Sequence, residues 1–210
     1  MKGSAIMQKN HVTSRIVVTS AVTMLAAFAL AGCGDDSNGS SPTTVELSNN
    51  MGDPLGQVEF VEVDGGLEFN ADVENLDPGF YGFHVHEIGE CEPESQAPDD
   101  PNNTGDFLSA GSHIAGEEDA NHPEHAGDLP TLLVKEDGTA QMSVVTDRLG
   151  ASQLMDFDGS AVMIHADADN FANVPDRYLG DETEPDEDTL STGDAGDRLA
   201  CGVIEGVVEE

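Results

Sequence analysis

Two histidines separated by one residue lie inside a short apolar run, Gly82-Phe83-His84-Val85-His86-Glu87. In a β-strand, residues two apart point to the same face, whereas a helix would place them about 200° apart. The spacing therefore favours a strand that turns both histidines to one side and Phe83 and Val85 toward a core. Two neutral imidazoles on one face of a strand can ligate a single transition metal ion. Two exposed strand histidines are the alternative interpretation.

Period-two alternation extends over much of the chain after residue 43. Leu67, Phe69, Ala71 and Val73 alternate with acidic and amide residues, which is typical of a half-buried strand. Further strands are predicted at 45–47, 57–63, 82–87, 131–134, 140–146, 160–165 and 201–208. The two strands that flank Asp137-Gly138 are expected to form a hairpin. About eight short strands, with no helical stretch after the leader, predict an all-β sandwich or barrel.

Two long segments, 87–127 and 167–197, lack sustained periodicity and are rich in Gly, Pro and Asp. Loops of that length in a compact domain are usually functional. Six of the seven histidines fall in or beside these segments and the strands at 82–87 and 160–165. Because histidine is a common metal ligand, this concentration indicates a metal centre.

Three residues of the first long segment and the residue directly after it follow the series His-x8-His-x2-His-x2-Asp: His113, His122, His125 and Asp128. Three imidazoles and a carboxylate suit a tetrahedral zinc ion. His165 ends the strand at 160–165, where it could meet His84 and His86 across the sheet. One of the six histidines could therefore serve two metals.

The first 32 residues (1–32) have the pattern of an export signal, because a polar start with three basic residues leads into a short apolar run, 16–31. Leu30-Ala31-Gly32-Cys33 resembles a bacterial lipobox, in which the cysteine is lipidated and becomes the new N-terminus. An ordinary signal peptide with an incidental cysteine is the alternative. Residues 33–42 predict a flexible tether. The domain at 43–210 is therefore expected to be exported, extracytoplasmic and anchored to the membrane as a lipoprotein.

The charge balance is extreme, with 42 acidic and 7 basic residues and a net charge of −35. Three of the seven basic residues lie in the leader. A chain beginning at Cys33 therefore keeps 4 basic and 42 acidic residues and has a net charge near −38. Nucleic acid is excluded as a partner, because phosphate binding requires a basic face. Disorder is one interpretation of such acidity. Because the acidic residues are interleaved with regular strand patterns, we expect a folded acidic surface suited to high salt.

Several segments, in this order along the chain, resemble copper/zinc superoxide dismutase: GFHVHE at 82–87, SAGSH at 109–113, HAGDLP at 125–130 and GDAGDRLACGVI at 193–204. The likeness covers roughly residues 43 to 208. The run ADNFANVP at 168–175 and the position of Cys91 resemble the bacterial, secreted branch. The resemblance implies an eight-stranded Greek-key β-sandwich or barrel with two long functional loops.

The same resemblance implies roles for individual residues. It implies one copper per subunit, held by His84, His86, His113 and His165. It implies one zinc per subunit, held by His113, His122, His125 and Asp128. Asp169 matches a carboxylate that links histidines of the two sites and fixes their orientation. Arg198 matches the arginine that borders the copper channel and attracts an anion; a salt bridge in an acidic shell is its alternative role. Cys91 and Cys201 match a disulfide between the first long loop and the last strand, which an exported location permits.

Two features depart from the family pattern. Family members usually have a longer gap between the second and third zinc histidines, whereas here it is only Pro123-Glu124. The second long loop usually helps to guide the anion, but here it carries a dense acidic run at 181–188, with Arg177 and Arg198 as its only cations up to the last strand. A solvated surface is favoured for this run over a calcium site, because it lacks ordered EF-hand spacing.

The implied activity is the conversion of two superoxide anions and two protons to oxygen and hydrogen peroxide by cyclic copper redox. Arg198 would dock the anion, and His113 would release the reduced copper and carry a proton. Two alternatives remain open: an exported copper-binding or storage module without turnover, and a structural β-sandwich with vestigial ligands. Superoxide is the expected small partner, and the membrane is contacted only through a lipid on Cys33. No heptad or isolated apolar stripe marks an oligomer interface.

Overall fold

The computed structural model describes residues 41–116 and 120–207. The predicted leader, Cys33 and residues 34–40 of the predicted tether lie outside the described residues. In the described part of the chain, no helix combines the length and the apolar character needed to cross a membrane.

Eleven short β-strands dominate these two ranges: β1 Thr43–Asn49, β2 Pro54–Val63, β3 Gly66–Val73, β4 Gly79–Tyr81, β5 Phe83–His86, β6 Ser95–Gln96, β7 Thr104–Gly105, β8 Leu132–Val134, β9 Ala140–Thr146, β10 Ser160–His165 and β11 Arg198–Ile204. Two short helices accompany them, α1 (Ala151–Leu154) and α2 (Glu187–Thr192). The fold is therefore all-β, as predicted.

Seven strands form one antiparallel sheet in the order β5-β10-β11-β1-β2-β3-β9. Strands β4 and β8 pair separately, as do β6 and β7. The main core lies between the large sheet and the β4–β8 pair, since Leu132 and Val134 of β8 pack in the same buried cluster as Phe69 and Val85. The alternating residues of β3 are buried, with Leu67 and Phe69 at 1% and 0% exposure. This confirms the half-buried strand predicted there.

Strand β5 lies at one edge of the large sheet, where its backbone would remain unpaired. The first long loop covers that edge: the Val85 N–H donates to the Gly127 carbonyl at 2.8 Å, and the Ile114 N–H donates to the Val85 carbonyl at 3.0 Å. The approach at Gly127 is so close that a Cβ there would collide with the Val85 carbonyl oxygen. Covering an exposed edge satisfies its backbone groups. Here it also places His113 and Asp128 beside the two histidines of β5.

The other face of β10 and β11 is covered by the same loop. Phe107 and Ala110 of the loop are buried against Ala161 and Met163 of β10 and Cys201 of β11. The first long loop is therefore packed on the sheet along much of its length, which makes it a rigid support for ligands.

Three details differ from the sequence-based expectation. Eleven strands are found in the described ranges rather than eight, because β4, β6 and β7 are too short to show a periodicity. The hairpin predicted across Asp137-Gly138 is wrong: β8 pairs with β4, and β9 pairs with β3. The last strand begins at Arg198 and ends at Ile204 rather than spanning 201–208.

Candidate metal centre

Six buried histidines converge from three parts of the fold. Strand β5 contributes His84 and His86, and β10 ends at His165. The first long loop contributes the other three: His113, His122 and His125. All six are at most 9% exposed. Such burial is uncommon for histidine unless its ring nitrogens are satisfied.

Four of these histidines bring one ring nitrogen each to within 4.8 Å of the others: His84, His86, His113 and His165. The Nε2 atoms of His86 and His165 are 3.3 Å apart, and the rings of His84 and His113 have centroids 4.1 Å apart. The structure thus brings together the four residues for which the sequence implied copper.

Backbone carbonyls and a carboxylate orient three of these rings. His86 Nδ1 lies 2.9 Å from the Gly111 carbonyl, and His165 Nδ1 lies 3.2 Å from the Gly196 carbonyl. His84 differs, because its Nε2 lies 2.8 Å from Asp169 Oδ2. If each contacted nitrogen donates its proton, the unprotonated lone pairs are Nδ1 of His84 and Nε2 of the other two. All three then point into the cluster, as a metal site requires.

A second group of donors surrounds Asp128. Its Oδ1 is 2.8 Å from His113 Nδ1 and 3.1 Å from His122 Nδ1, and its Oδ2 is 3.1 Å from His125 Nδ1. The donors here that all lie within 4.8 Å of one another are His84, His113, His122 and Asp128. His125 is outside that set and approaches the group through Asp128. The two-residue gap between His122 and His125 therefore still brings both Nδ1 atoms to one carboxylate.

Four buried ring nitrogens lack a hydrogen-bond partner: His84 Nδ1, His113 Nε2, His122 Nδ1 and His125 Nδ1. The last two approach Asp128 without hydrogen-bond geometry, as do ligands that share a metal ion. Buried polar atoms without partners are costly and rare. These nitrogens lie in the four-histidine group and in the group around Asp128. They fit a pair of metal ions, with His113 presenting one nitrogen to each.

Asp169 joins the two groups. Its Oδ2 lies 2.8 Å from His84 Nε2, and its Oδ1 lies 2.8 Å from His122 Nε2. Gly193, which follows α2 with a φ of +63°, makes room for this contact, because a Cβ there would collide with Asp169 and His122. Asp169, which the resemblance matched to a linking carboxylate, thus contacts one histidine of each group.

Burial sets the protonation of the cluster. It lowers the pKa of His86 and of His165 well below the usual value, and neighbouring His113 and His84 act in the same direction. Burial lowers the pKa of His113 to about 4, although contact with Asp128 opposes the change. Burial also acts to lower the pKa of His122, but the close carboxylates of Asp128 and Asp169 outweigh it and raise the pKa to about 9. The first three rings are therefore neutral at neutral pH, which metal binding requires.

Arg198 lines a pocket together with His86, His113 and His165. Its guanidinium donates to the Phe107 and Gly111 carbonyls, each at 2.6 Å. Burial lowers its pKa to about 10, so it remains charged at neutral pH. Because the Gly111 carbonyl also contacts His86, one backbone atom orients both the arginine and a ring of the cluster.

The remaining predicted residues are placed as follows. Cys91 and Cys201 form a disulfide. Arg177 stacks on Tyr178, 4.7 Å from the ring centre, and does not line the pocket. In the acidic run at 181–188, Asp186 caps α2 by accepting from the Thr189 N–H at 2.9 Å. Sequence reasoning missed the two carbonyls that hold Arg198, because a backbone atom leaves no residue-type signal.

Known proteins resemble this chain in sequence and in fold. The family model for copper/zinc superoxide dismutase matches residues 55–204. A superoxide dismutase [Cu-Zn] of Mycobacterium tuberculosis is 40% identical over 185 residues, covering 85% of this chain and 76% of that protein. One from Escherichia coli is 36% identical over 163 residues, covering 75% and 83%. The solved Cu/Zn superoxide dismutase from Brucella abortus is 33% identical, with a TM-score of 0.60 over 79% of this chain and 100% of that one.

Proposed function

The chain belongs to the copper/zinc superoxide dismutase family, and on that premise we propose how its own residues perform the reaction. The protein is an oxidoreductase that converts two superoxide anions and two protons to oxygen and hydrogen peroxide, with copper and zinc as cofactors. Bound copper supplies the alternating oxidation states that take an electron from one superoxide and give it to the next.

In our proposal the two donor groups hold different metals. Copper would be held by four histidines: His84, His86, His113 and His165. Zinc would be held by three histidines and a carboxylate: His113, His122, His125 and Asp128. For copper, the support is the set of hydrogen bonds that turns the second nitrogen of His84, His86 and His165 into the cluster. For zinc, it is the approach of three Nδ1 atoms to Asp128. Four nitrogens suit Cu(II), and three imidazoles with a carboxylate suit zinc.

Arg198 and His113 act on the substrate and the proton. The two carbonyls at Arg198 use two of the five guanidinium N–H groups and leave the others to bind an anion in the pocket. His113 Nε2 has no hydrogen-bond partner, so when this ring does not hold copper its Nε2 is the nitrogen that can take up a proton and hand it to the reduced anion. Both roles place charge stabilisation and proton supply on the same side of the cluster.

The metal assignment is tested by the substitution His86→Ala. The purified protein should bind about one copper and one zinc, and His86→Ala should lose nearly all dismutase activity while the domain stays folded. Metal content and dismutation should be measured on the same samples, with the zinc-loaded, copper-free protein as the inactive control. Full activity in His86→Ala would refute its ligand role, and unaltered protein with both metals but no turnover would indicate a copper-binding module instead.

The anion role is tested with a matched pair of arginines. Loss of a charge-assisted contact at Arg198 should lower kcat/KM by about 10-fold or more. Arg177→Ala removes the same charge outside the pocket and should leave the rate close to that of the unaltered protein. Equal rates in Arg198→Ala and Arg177→Ala would contradict the anion role.

The location and the surface are also part of the proposal. The motif Leu30-Ala31-Gly32-Cys33 supports a lipoprotein that is exported and anchored to the membrane. The net charge of −35 supports an acidic surface adapted to high salt. Cys33→Ser should release the protein from the membrane fraction. An unaltered protein that is already soluble, with a mature N-terminus beyond Cys33, would contradict the anchor.

A further inference from the structure

Arg148 makes a contact with the zinc loop that the proposed mechanism does not use. Its guanidinium donates to the Pro123 carbonyl at 2.6 Å. Pro123 follows His122 directly and precedes His125 by two residues. Arg148 thus holds the short backbone segment between two proposed zinc ligands.

The backbone of Arg148 is held next to the end of β9 in the large sheet. It lies two residues after β9, and its backbone N–H donates to Thr146 Oγ1 at 3.2 Å. The next residue, Leu149, is 2% exposed in the main core. The side chain therefore reaches from a rigid corner of the sheet to the zinc loop.

Arg148 supplies the hydrogen bond to the Pro123 carbonyl of the segment at 122–125. The N–H groups of the other three residues, His122, Glu124 and His125, donate to the Leu190 carbonyl, the Asn121 carbonyl and Asp128 Oδ2. Proline has no N–H, so the carbonyl is the only backbone hydrogen-bonding group of Pro123. The side chain of His125 is 11% exposed, whereas those of His122 and Asp128 are at most 3% exposed. The ring of His125 is thus the least enclosed of the proposed zinc ligands. Its backbone N–H is held by Asp128, and Arg148 holds the carbonyl two residues before it.

We propose that Arg148 is a positioning residue for zinc, which fixes the shortened segment between His122 and His125 in the conformation that directs both Nδ1 atoms toward Asp128. This inference rests on the proposed zinc site. A guanidinium bond to a carbonyl is charge-assisted and directional, which suits a loop with only two residues between its ligands. Glu124 and Asp147 line the same surface groove, yet Arg148 donates to the backbone.

The test compares Arg148→Ala with Arg177→Ala, which removes an equal charge from an exposed arginine that does not line the metal pocket. Zinc affinity is measured by chelator competition on the folded, metal-free proteins, and Co²⁺ absorption reports the geometry at the zinc position. Arg148→Ala should weaken zinc binding by about 10- to 100-fold and alter the Co²⁺ spectrum. Arg177→Ala should do neither, and Arg148→Lys should recover part of the affinity.

Three outcomes would overturn the inference. Arg148→Ala could bind zinc as tightly as Arg177→Ala. It could instead weaken copper and zinc equally while lowering the melting temperature of the metal-free protein, which would indicate a general structural role. Finally, if the unaltered protein takes up no zinc, both the proposed zinc site and the proposed role of Arg148 are wrong.

Discussion

Asp169 is the side chain on which the two halves of the metal centre depend. It is fully buried, and its two oxygens face Nε2 of His84 and Nε2 of His122. The Phe171 N–H also donates to Oδ1 at 2.7 Å. Burial acts to raise the pKa of Asp169, but these hydrogen bonds outweigh it and hold the pKa well below its usual range. An ionised carboxylate can accept from both rings at once, which keeps Nδ1 of each ring free for a metal.

The substitution Asp169→Asn should weaken the binding of both metals. An amide has one acceptor oxygen, so one histidine would face an NH₂ group and would have to move its proton to the metal-facing nitrogen. We expect affinities lower by about 10- to 100-fold for copper and zinc, measured by chelator competition. Asp181→Asn, in the exposed acidic run, is the control of equal charge change. Unchanged affinity in Asp169→Asn would show that the two rings are oriented without this carboxylate.

The buried histidines also predict an acid-sensitive metal-free protein. The pKa values of His86, His113 and His165 lie below the ordinary value of about 6.5. As the pH falls below about 6.5, the unfolded chain binds protons that the folded one does not, so the free energy of unfolding falls. His122, with its pKa raised to about 9, contributes stability that is present below about pH 6.5 and is lost as the pH rises through 9.

The measurement is denaturant unfolding of the metal-free protein between about pH 7 and pH 5. Molar salt should be present throughout, because protonation of surface carboxylates would otherwise relieve repulsion and oppose the effect. Each of the three histidines contributes up to about 1.4 kcal/mol per pH unit inside this window. A free energy of unfolding that stays constant or rises on acidification would contradict the prediction.

At the scale of elements, the first long loop is joined to the sheet at two places, the edge strand β5 and the strand β11. Its backbone pairs with the free edge of β5, and the disulfide from Cys91 joins it to β11. The bridged cysteines have Cα atoms 5.7 Å apart and are separated by 110 residues. Cys201 lies three residues after Arg198, so the bond ties the loop carbonyls to the strand that carries the arginine.

Reduction of this disulfide should destabilise the protein. Releasing a closed loop of 110 residues lowers the free energy of unfolding by about 4–5 kcal/mol on the chain-entropy model. Urea unfolding with and without a thiol reductant gives the value, and Cys91→Ala combined with Cys201→Ala should reproduce it. An unchanged urea midpoint after complete reduction would mean that packing of the loop, rather than the covalent bond, holds it on the sheet.

How far the sequence predicts this fold differs from element to element. Alternation located β3 and β9 to within one residue, because one face of each strand is buried and the other is solvated. It did not identify partners: β8 and β9 are joined by a tight turn, yet they pair with different strands. Helix α2 was missed because its bounds are set by Asp186 and Gly193 rather than by an apolar stripe.

The metal centre was predictable where side chains carry the chemistry. Histidine spacing singled out five of the six rings, since histidine is a common metal ligand. The sixth, His165, followed from its position at the end of a predicted strand, and the division of the six between two metals was implied by the family resemblance. The backbone contacts that orient His86 and His165 were not predictable, because they use the carbonyls of Gly111 and Gly196. Any residue has a carbonyl, so only the folded chain shows which ones are used.

At the scale of the whole molecule, charge should govern the encounter with substrate. Superoxide is an anion, and Arg198 shares its pocket with four carboxylates: Glu87, Asp106, Asp188 and Asp197. Lowering the Debye length from about 30 Å at 10 mM salt to about 3 Å at 1 M removes long-range repulsion before it removes the local contact. Reactants of like charge meet faster as screening grows.

We therefore expect kcat/KM to rise with ionic strength up to about molar salt, and the free energy of unfolding to rise as self-repulsion is screened. Pulse radiolysis or stopped-flow dismutation across this range gives the rate, while circular dichroism monitors the fold at each point. A rate that falls steeply with salt in folded protein would mean that local positive potential at Arg198 dominates the approach.

The direction of β1 and β11 has a consequence for an anchored enzyme. The two strands are antiparallel, with Ser48 opposite Cys201, so the chain enters at Thr43 near the end of β11 that lies farthest from Arg198. If Cys33 carries a lipid, as proposed, the tether joins the domain at the end of β1 away from the substrate pocket. Ten residues of tether, fully extended, reach at most about 35 Å. A lipid anchor would then hold the domain within a few nanometres of the membrane without its tether starting beside the pocket.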